Sequence, residues 1–191
     1  MRAASIKRET LETKIAVELC LDGGEIEIST GIGFFDHMLN AFAKHSGFGL
    51  KLSCDGDLEV DGHHTVEDVG IVLGAALCEA VGDRKGIARY GNFTVPMDEA
   101  LCSAHVDVSG RPYIVFDAEM PQELCGDFEC CLAAEFFRAF AVNGGLTLHL
   151  KAHYGDNSHH IIEALFKACA HSLRIACAVT GTETLSTKGV L

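Results

Sequence analysis

Apolar positions recur at helical spacing in two long stretches that sit at matching places in the chain. In the first, Val66, Val69, Leu73, Ala76, Leu77 and Ala80 share one face, and the pattern stops at Gly82. In the second, Ile162, Leu165, Phe166, Cys169, Leu173 and Ala176 do the same. Shorter helices fit residues 35–44 and 128–142. Elsewhere the period is two, which marks extended chain with one buried face. Residues 14–21 alternate, Asp22-Gly23-Gly24 turns, and 25–29 alternate again, which predicts a hairpin. Leu50, Leu52 and Cys54 alternate as well, and strands are predicted at 101–108 and 113–116 on either side of the turn Ser109-Gly110-Arg111-Pro112. From 180 to 191 the periodicity fades, which predicts a surface segment.

Each long helical stretch opens with the same pentad. His63-His64-Thr65-Val66-Glu67 and His159-His160-Ile161-Ile162-Glu163 lie 96 positions apart. At that shift Gly49-Leu50-Lys51-Leu52 falls on Gly145-Leu146-Thr147-Leu148. Further upstream the shift is 98: Ala41-Phe42-Ala43 falls on Ala139-Phe140-Ala141, and His37 on Glu135. Each half therefore reads helix, glycine turn, strand, loop, pentad, helix, and a fixed-period similarity of this kind is an internal repeat. The predicted fold class is α+β. Two duplicated halves, each a sheet plus two helices and covering roughly 1–92 and 93–191, form a two-layer sandwich within one domain.

Composition narrows the function classes. The formal charge of −12 argues against a nucleic-acid surface, which needs clustered Lys and Arg. It leaves room for a small anion held by a few local cations. The nine cysteines include no Cys-x-x-Cys and lie mostly in apolar stretches, so they read as reduced, buried thiols of a cytoplasmic protein. The first ten residues hold no apolar signal core, and no apolar run is long enough to span a bilayer, so no membrane partner is expected.

The pentads carry the chemistry. On a helix, residues four apart share a face, so His63 and Glu67 converge on one ion, as do His159 and Glu163. His64 and His160 are rotated by about 100° from their neighbours and are better placed to address a different ion. One pentad supplies too few ligands to close a site, so pentads from both halves, or from two subunits, have to meet. His37 and Glu135 occupy matching places in the repeat and are the natural additional ligands. Imidazole plus carboxylate without thiolate suits Mn, Fe, Ni or Zn, and octahedral geometry with carboxylates favours Mn or Fe. His45 follows the first helix, before a glycine turn, and could reach the same cleft; His105, His149, His153 and His171 read as structural. Cations sit on glycine-flanked turns at Arg84-Lys85-Gly86-Ile87-Ala88-Arg89, Ser109-Gly110-Arg111-Pro112 and Ser186-Thr187-Lys188-Gly189. In an acidic chain these suggest a phosphate pocket.

Together these strings resemble one family, the imidazoleglycerol-phosphate dehydratases of histidine biosynthesis. The resemblance rests on Phe35-Asp36-His37-Met38-Leu39, Asp61-Gly62 with the first pentad and Asp68, and Arg84-Lys85-Gly86-Ile87-Ala88-Arg89. It continues through Pro96-Met97-Asp98-Glu99-Ala100-Leu101, Asp107-Val108-Ser109-Gly110-Arg111-Pro112, Asn157-Ser158 with the second pentad, and Ser186-Thr187-Lys188-Gly189-Val190-Leu191. It implies a duplicated fold of the ribosomal S5 domain 2-like type and two Mn2+ ions per active site. The sites would form where subunits meet, in a homo-oligomer of 24 chains built from trimers. The ligands it implies are His37, His63, His64, Glu67, His159, His160 and Glu163. It also implies substrate contacts from Glu12, His37, His45, Arg89, Arg111, Lys167, Ser186 and Lys188. Glu135 stands where many members carry His, and a carboxylate is still a competent Mn ligand.

The family reaction removes water from imidazole glycerol phosphate to give imidazole acetol phosphate. No carbonyl activates the bonds that break, so the substrate's imidazole is the available electron reservoir. A metal-bound imidazolate, with a cation at each ring nitrogen, could expel the neighbouring hydroxide. Glu12 and Glu163 are the carboxylates expected to act in catalysis, with Glu12 first for proton transfer. Two other readings compete: a dinuclear metallohydrolase acting on a phosphate ester, and a non-catalytic shell assembled by metal.

Overall fold

A computed structural model describes residues 1–188; the Gly189-Val190-Leu191 end of the last family string lies outside the described residues. Two four-stranded sheets enclose four helices. The first sheet comprises β1 (Ala3–Glu9), β2 (Thr13–Cys20), β3 (Ile26–Ser29) and β4 (Gly49–Gly56), in the order β1-β2-β4-β3. The second comprises β5 (Tyr90–Met97), β6 (Ala100–Asp107), β7 (Tyr113–Asp117) and β10 (Thr147–Tyr154), in the order β5-β6-β10-β7. The two orders are identical once the strands are renumbered within each half, so the repeat extends to topology. A small extra hairpin, β8 (Leu124–Cys125) with β9 (Phe128–Glu129), occurs in the second half.

Each sheet is lined on its inner face by one long pentad helix. The helix α2 (His63–Val81) packs on β1, β2 and β4, and α4 (Ser158–Ala176) packs on β5, β6 and β10. Strand β2 shows why. Thr13, Ile15, Val17 and Leu19 are buried toward the helix while Lys14 and Glu18 face water, the alternation expected of a sheet covered on one side. The shorter helices, α1 (Gly33–Ser46) and α3 (Leu132–Gly144), pack against the long helix of the opposite half: α1 on α4 and α3 on α2. Each half is thus a two-layer unit, and the halves stack helix side to helix side. The repeat mates Phe42 and Phe140 meet edge to face at 5.8 Å, and Phe35 meets Phe136 edge to face at 5.4 Å, so the core runs continuously between the halves.

The expected hairpin at 14–29 does not form. Strands β2 and β3 exist, but β4 lies between them, antiparallel to β2 and parallel to β3. The Asp22-Gly23-Gly24 segment carries the chain across the end of β4 instead of turning it back. A Cβ on Gly49 would stand 2.7 Å from the Gly24 Cα, so this crossing needs bare backbone. The Ser109-Gly110-Arg111-Pro112 turn makes the same crossing over the start of β10, where Gly110 approaches Gly145. The third helix starts at Leu132 and not at 128, because Phe128 and Glu129 pair into the extra hairpin.

Candidate metal centre and anion pocket

Both pentads are placed by the same local device. The Asp61 side chain accepts a hydrogen bond from the His63 backbone N–H at 2.8 Å, and its repeat mate Asn157 accepts from His159 N–H at 2.9 Å. An Asx side chain two residues ahead satisfies a backbone donor that the first helical turn leaves free. Each helix therefore begins at its pentad, and the first His and the Glu lie on one face.

On α4 this face meets α1. His37 Nε2 stands 3.6 Å from Glu163 Oε2, and His159 Nε2 stands 3.3 Å from the same oxygen. The three donors lie within 4.8 Å of one another, and they are the only such trio among the described residues. These separations are too long for good hydrogen bonds, and they match the ligand–ligand edges of a coordination shell with bonds of about 2.1 Å. The donor set, two imidazoles and a carboxylate, fits a divalent cation of the Mn or Fe kind. Lys167, one turn beyond Glu163, donates to its other oxygen at 2.7 Å. Burial opposes ionisation of Glu163, but Lys167, His37 and His159 outweigh it and leave the carboxyl below its usual range. The carboxylate is therefore ready to bind a cation.

The other pentad does not close in the same way. His63 Nε2 and Glu67 Oε2 face each other at 3.6 Å, but Glu135, their expected third partner, forms an ion pair with Arg138 on its own helix. The structure does not bring Glu135 together with His63 and Glu67. Arg138 lies three residues on, on the same face of the helix as Glu135.

The second histidine of each pentad is held by a carboxylate that sequence reasoning missed. His64 Nδ1 pairs with Asp57 at 3.0 Å, and His160 Nδ1 pairs with Glu99 Oε2 at 2.7 Å. A neutral ring that donates Nδ1–H to a carboxylate presents its Nε2 lone pair outward, the usual support of a metal-bound histidine. The bond to Asp57 raises the His64 pKa, and the bond to Glu99 raises that of His160. In return His160, helped by the Asp156 and Asn157 backbone N–H groups, pulls Glu99 down to about 2. Asp57 follows β4, shortly before its histidine, and could have been suspected. Glu99 lies in the β5–β6 turn, 61 positions from His160, and no local signal points to it. Glu12, in the turn between β1 and β2, is half exposed and stands 3.8 Å from His64 Nε2.

A separate pocket gathers the predicted cations. Arg89, Tyr90, Ser109, Arg111, Ser186 and Lys188 line it, and no pentad histidine does. Arg89 is buried, adopts a left-handed backbone at φ 70°, and has little left to offer a ligand. Its Nε and Nη2 donate to Asp107 at 2.7 and 3.0 Å, and its Nη1 donates to the Leu185 carbonyl at 2.6 Å. Arg89 thus ties the 184–188 segment to β6. Arg111 is largely exposed, 3.7 Å from Asp107, and is the freer cation. Lys167 belongs to the Glu163 cluster and not to this pocket. His45 is paired with His171 at 3.0 Å, so His171, read as structural from sequence, touches a candidate site residue.

Among the described residues no helix is long and apolar enough to cross a membrane. Residues 30–173 match the family model described as imidazoleglycerol-phosphate dehydratase. The imidazoleglycerol-phosphate dehydratase of Carboxydothermus hydrogenoformans is 53% identical, with all of both chains covered. That of Exiguobacterium sp. is 56% identical over 99% of this chain and 98% of the relative. Among solved structures, imidazoleglycerol-phosphate dehydratase from Staphylococcus aureus superposes with a TM-score of 0.83 at 41% identity, covering 94% of this chain and 99% of that one. IGPD from Pyrococcus furiosus, in complex with (S)-C348, superposes with a TM-score of 0.85 at 39% identity, covering 97% and 100%. With the duplicated fold and both pentads in place, the chain belongs to the imidazoleglycerol-phosphate dehydratase family and is a hydro-lyase.

Proposed function

We propose that this chain converts imidazole glycerol phosphate to imidazole acetol phosphate in histidine biosynthesis, in the cytoplasm and with Mn2+ as the cofactor. The convergence of His37, His159 and Glu163 carries the reading. Those three residues would hold one ion; His63, Glu67 and the outward Nε2 atoms of His64 and His160 would complete the sites, with Glu135 as a further candidate. Bound there, two divalent cations would supply positive charge beside the substrate's ring nitrogens and favour its deprotonated form.

The chain's own residues do the rest. Arg111, Ser186 and Lys188 bind the phosphate, while Arg89 holds their segment in place through Asp107 and Leu185. Fixing the phosphate fixes the reacting carbons, and positioning of this kind lowers a barrier without new chemistry. Glu12 takes the proton from the carbon next to the one that loses hydroxide, and that carbon keeps its own hydroxyl and becomes the ketone through the enol; the Glu12 carboxylate is half exposed and adjacent to His64. Lys167 holds Glu163 as the anion. Among the described residues the ligating faces and the anion pocket share no lining residue within one chain, which supports a site completed between subunits. A homo-oligomer of 24 chains built from trimers follows from the family resemblance.

The test is a chelator-treated protein assayed before and after Mn2+ is restored. Imidazole acetol phosphate should appear only with metal, and Glu12→Gln should fold, assemble and lose turnover by about 100-fold or more. Release of inorganic phosphate in place of the ketone would make the protein a hydrolase, and full activity without metal would remove the cofactor from the reading.

A further inference from the structure

The seam between α1 and α4 holds more polar groups than the three candidate ligands. On α4, His159, Glu163, Lys167 and His171 recur every four residues and form one stripe. On α1, His37 and His45 lie two turns apart and face it. The stripe starts with the ligand trio, passes through Lys167 and ends where His45 Nδ1 meets His171 Nε2 at 3.0 Å. The two rings lie edge to face, 5.0 Å between centroids. From the other side Phe93 of β5 stacks flat on His171 at 4.3 Å and 22°. His171 is therefore fixed by an aromatic face on one side and bonded to His45 on the other.

From this arrangement we infer that His171 is a positioning residue, which sets the orientation and the tautomer of His45 for its contact with the substrate. The inference rests on the proposed function, in which His45 touches the substrate. A bond between two ring nitrogens needs one N–H and one lone pair. Burial holds both rings below the usual imidazole range, aided at His45 by His171 and Lys167 and at His171 by Arg174. Both are then neutral near pH 7, and each has a single N–H. Whichever ring donates in the shared bond fixes the free nitrogen of the other, so the two tautomers are set together. His45 Nε2, left out of the pair, meets a ligand as a defined donor or a defined acceptor, not as a mixture. The stack on Phe93 keeps His171 from rotating away, which a solvent-facing histidine would be free to do.

Two substitutions separate this role from simple packing. His171→Phe keeps a flat ring against Phe93 and removes the nitrogen; His171→Gln restores a polar group that reaches His45. In the metal-loaded enzyme, His171→Phe should lower kcat/KM on the order of tenfold to a hundredfold, mostly through KM, because His45 is read as a binding group. His171→Gln should recover most of that loss. Magic-angle-spinning NMR of the assembled, chelator-treated protein, labelled with 15N-histidine, gives a readout independent of turnover. The wild type should show His45 as one tautomer and His171→Phe a mixture. An unchanged His45 signal, or a His171→Phe enzyme with wild-type KM, would overturn the inference. Wild-type protein that makes no imidazole acetol phosphate would instead bring down the proposed function, leaving the NMR result to judge the His45–His171 pair alone.

Discussion

The same pentad is used in two seams of the molecule, and the seams differ. At α1–α4, His37 crosses from the neighbouring helix to complete a three-donor cluster with His159 and Glu163. At α3–α2, the repeat mate Glu135 turns to Arg138 and leaves His63 and Glu67 as a pair. The helices beneath explain part of the contrast. A Cβ on Gly70 would stand 2.7 Å from the Phe136 carbonyl oxygen, and one on Gly74 would stand 2.5 Å from that of Phe140. Helices α2 and α3 therefore pack backbone to backbone. The matching places on α4 are Phe166 and Ala170, whose side chains preclude so close an approach, and α4 lies less tightly on α1. The wider seam admits a stripe of long polar side chains, while Ile71 and Ala75 stand at the places of Lys167 and His171 in the tighter one. Local sequence sets the ligand pair, and helix spacing decides what else can join it.

The comparison is most exposed at Glu163. On the proposed reading of two Mn2+ ions per active site, Glu163→Gln should leave only one bound and lower turnover by more than about 100-fold. It also leaves the half-buried Lys167 without its charge partner, which costs about 1–2 kcal/mol. Metal analysis and a thermal melt read the two effects separately, and retention of both ions would break the assignment of the α1–α4 cluster. The packing contrast is tested by Gly74→Ala, which drives a methyl group into the Phe140 carbonyl and should cost about 1–3 kcal/mol. The matching Ala170→Gly on α4 should cost only about 1 kcal/mol, the helix propensity difference. Equal melting temperatures for the two variants would show that the seams do not differ in closeness.

A smaller effect is expected from Glu135→Ala, which should weaken metal binding by less than about tenfold, because Glu135 is already engaged by Arg138. Complete loss of one ion would show that assembly pulls Glu135 away from Arg138 and makes the seams equivalent. The smallest effect concerns pH. The Glu99 carboxyl is lowered from 4.5 to about 2, so its contribution to stability is fully present above 4.5 and is lost as pH falls toward 2. Unfolding of the chelator-treated Glu99→Gln protein should show a shallower acid-side slope over that window than the wild type does.

Much of this was legible from the residues. The pentad spacing fixed which His and Glu share a face, and the apolar period fixed the ends of the two long helices to within a residue, while their starts lie three and four residues before its first positions, Val66 and Ile162. The repeat was visible because it kept glycine turns and strands in register. Other features were not visible. Alternation marks 14–21 and 25–29 as strands, yet it carries no information about which strand lies between them. The carboxylates on His64 and His160 come from turns that folding brings alongside. Glu99 and His160 are 61 positions apart, and His45 and His171 are 126 apart.

The sequence by itself determined the duplicated α+β plan, the paired ligands at helix starts and the cations on glycine-flanked turns, because each depends on the spacing of a few neighbouring residues. Only the tertiary structure decided the strand order, the joining of His37 to the second pentad, the diversion of Glu135 and the role of Arg89 as an anchor. Those outcomes depend on how closely two helices approach and on which charge lies nearest in space, and both are set by side-chain volume across elements distant in the chain.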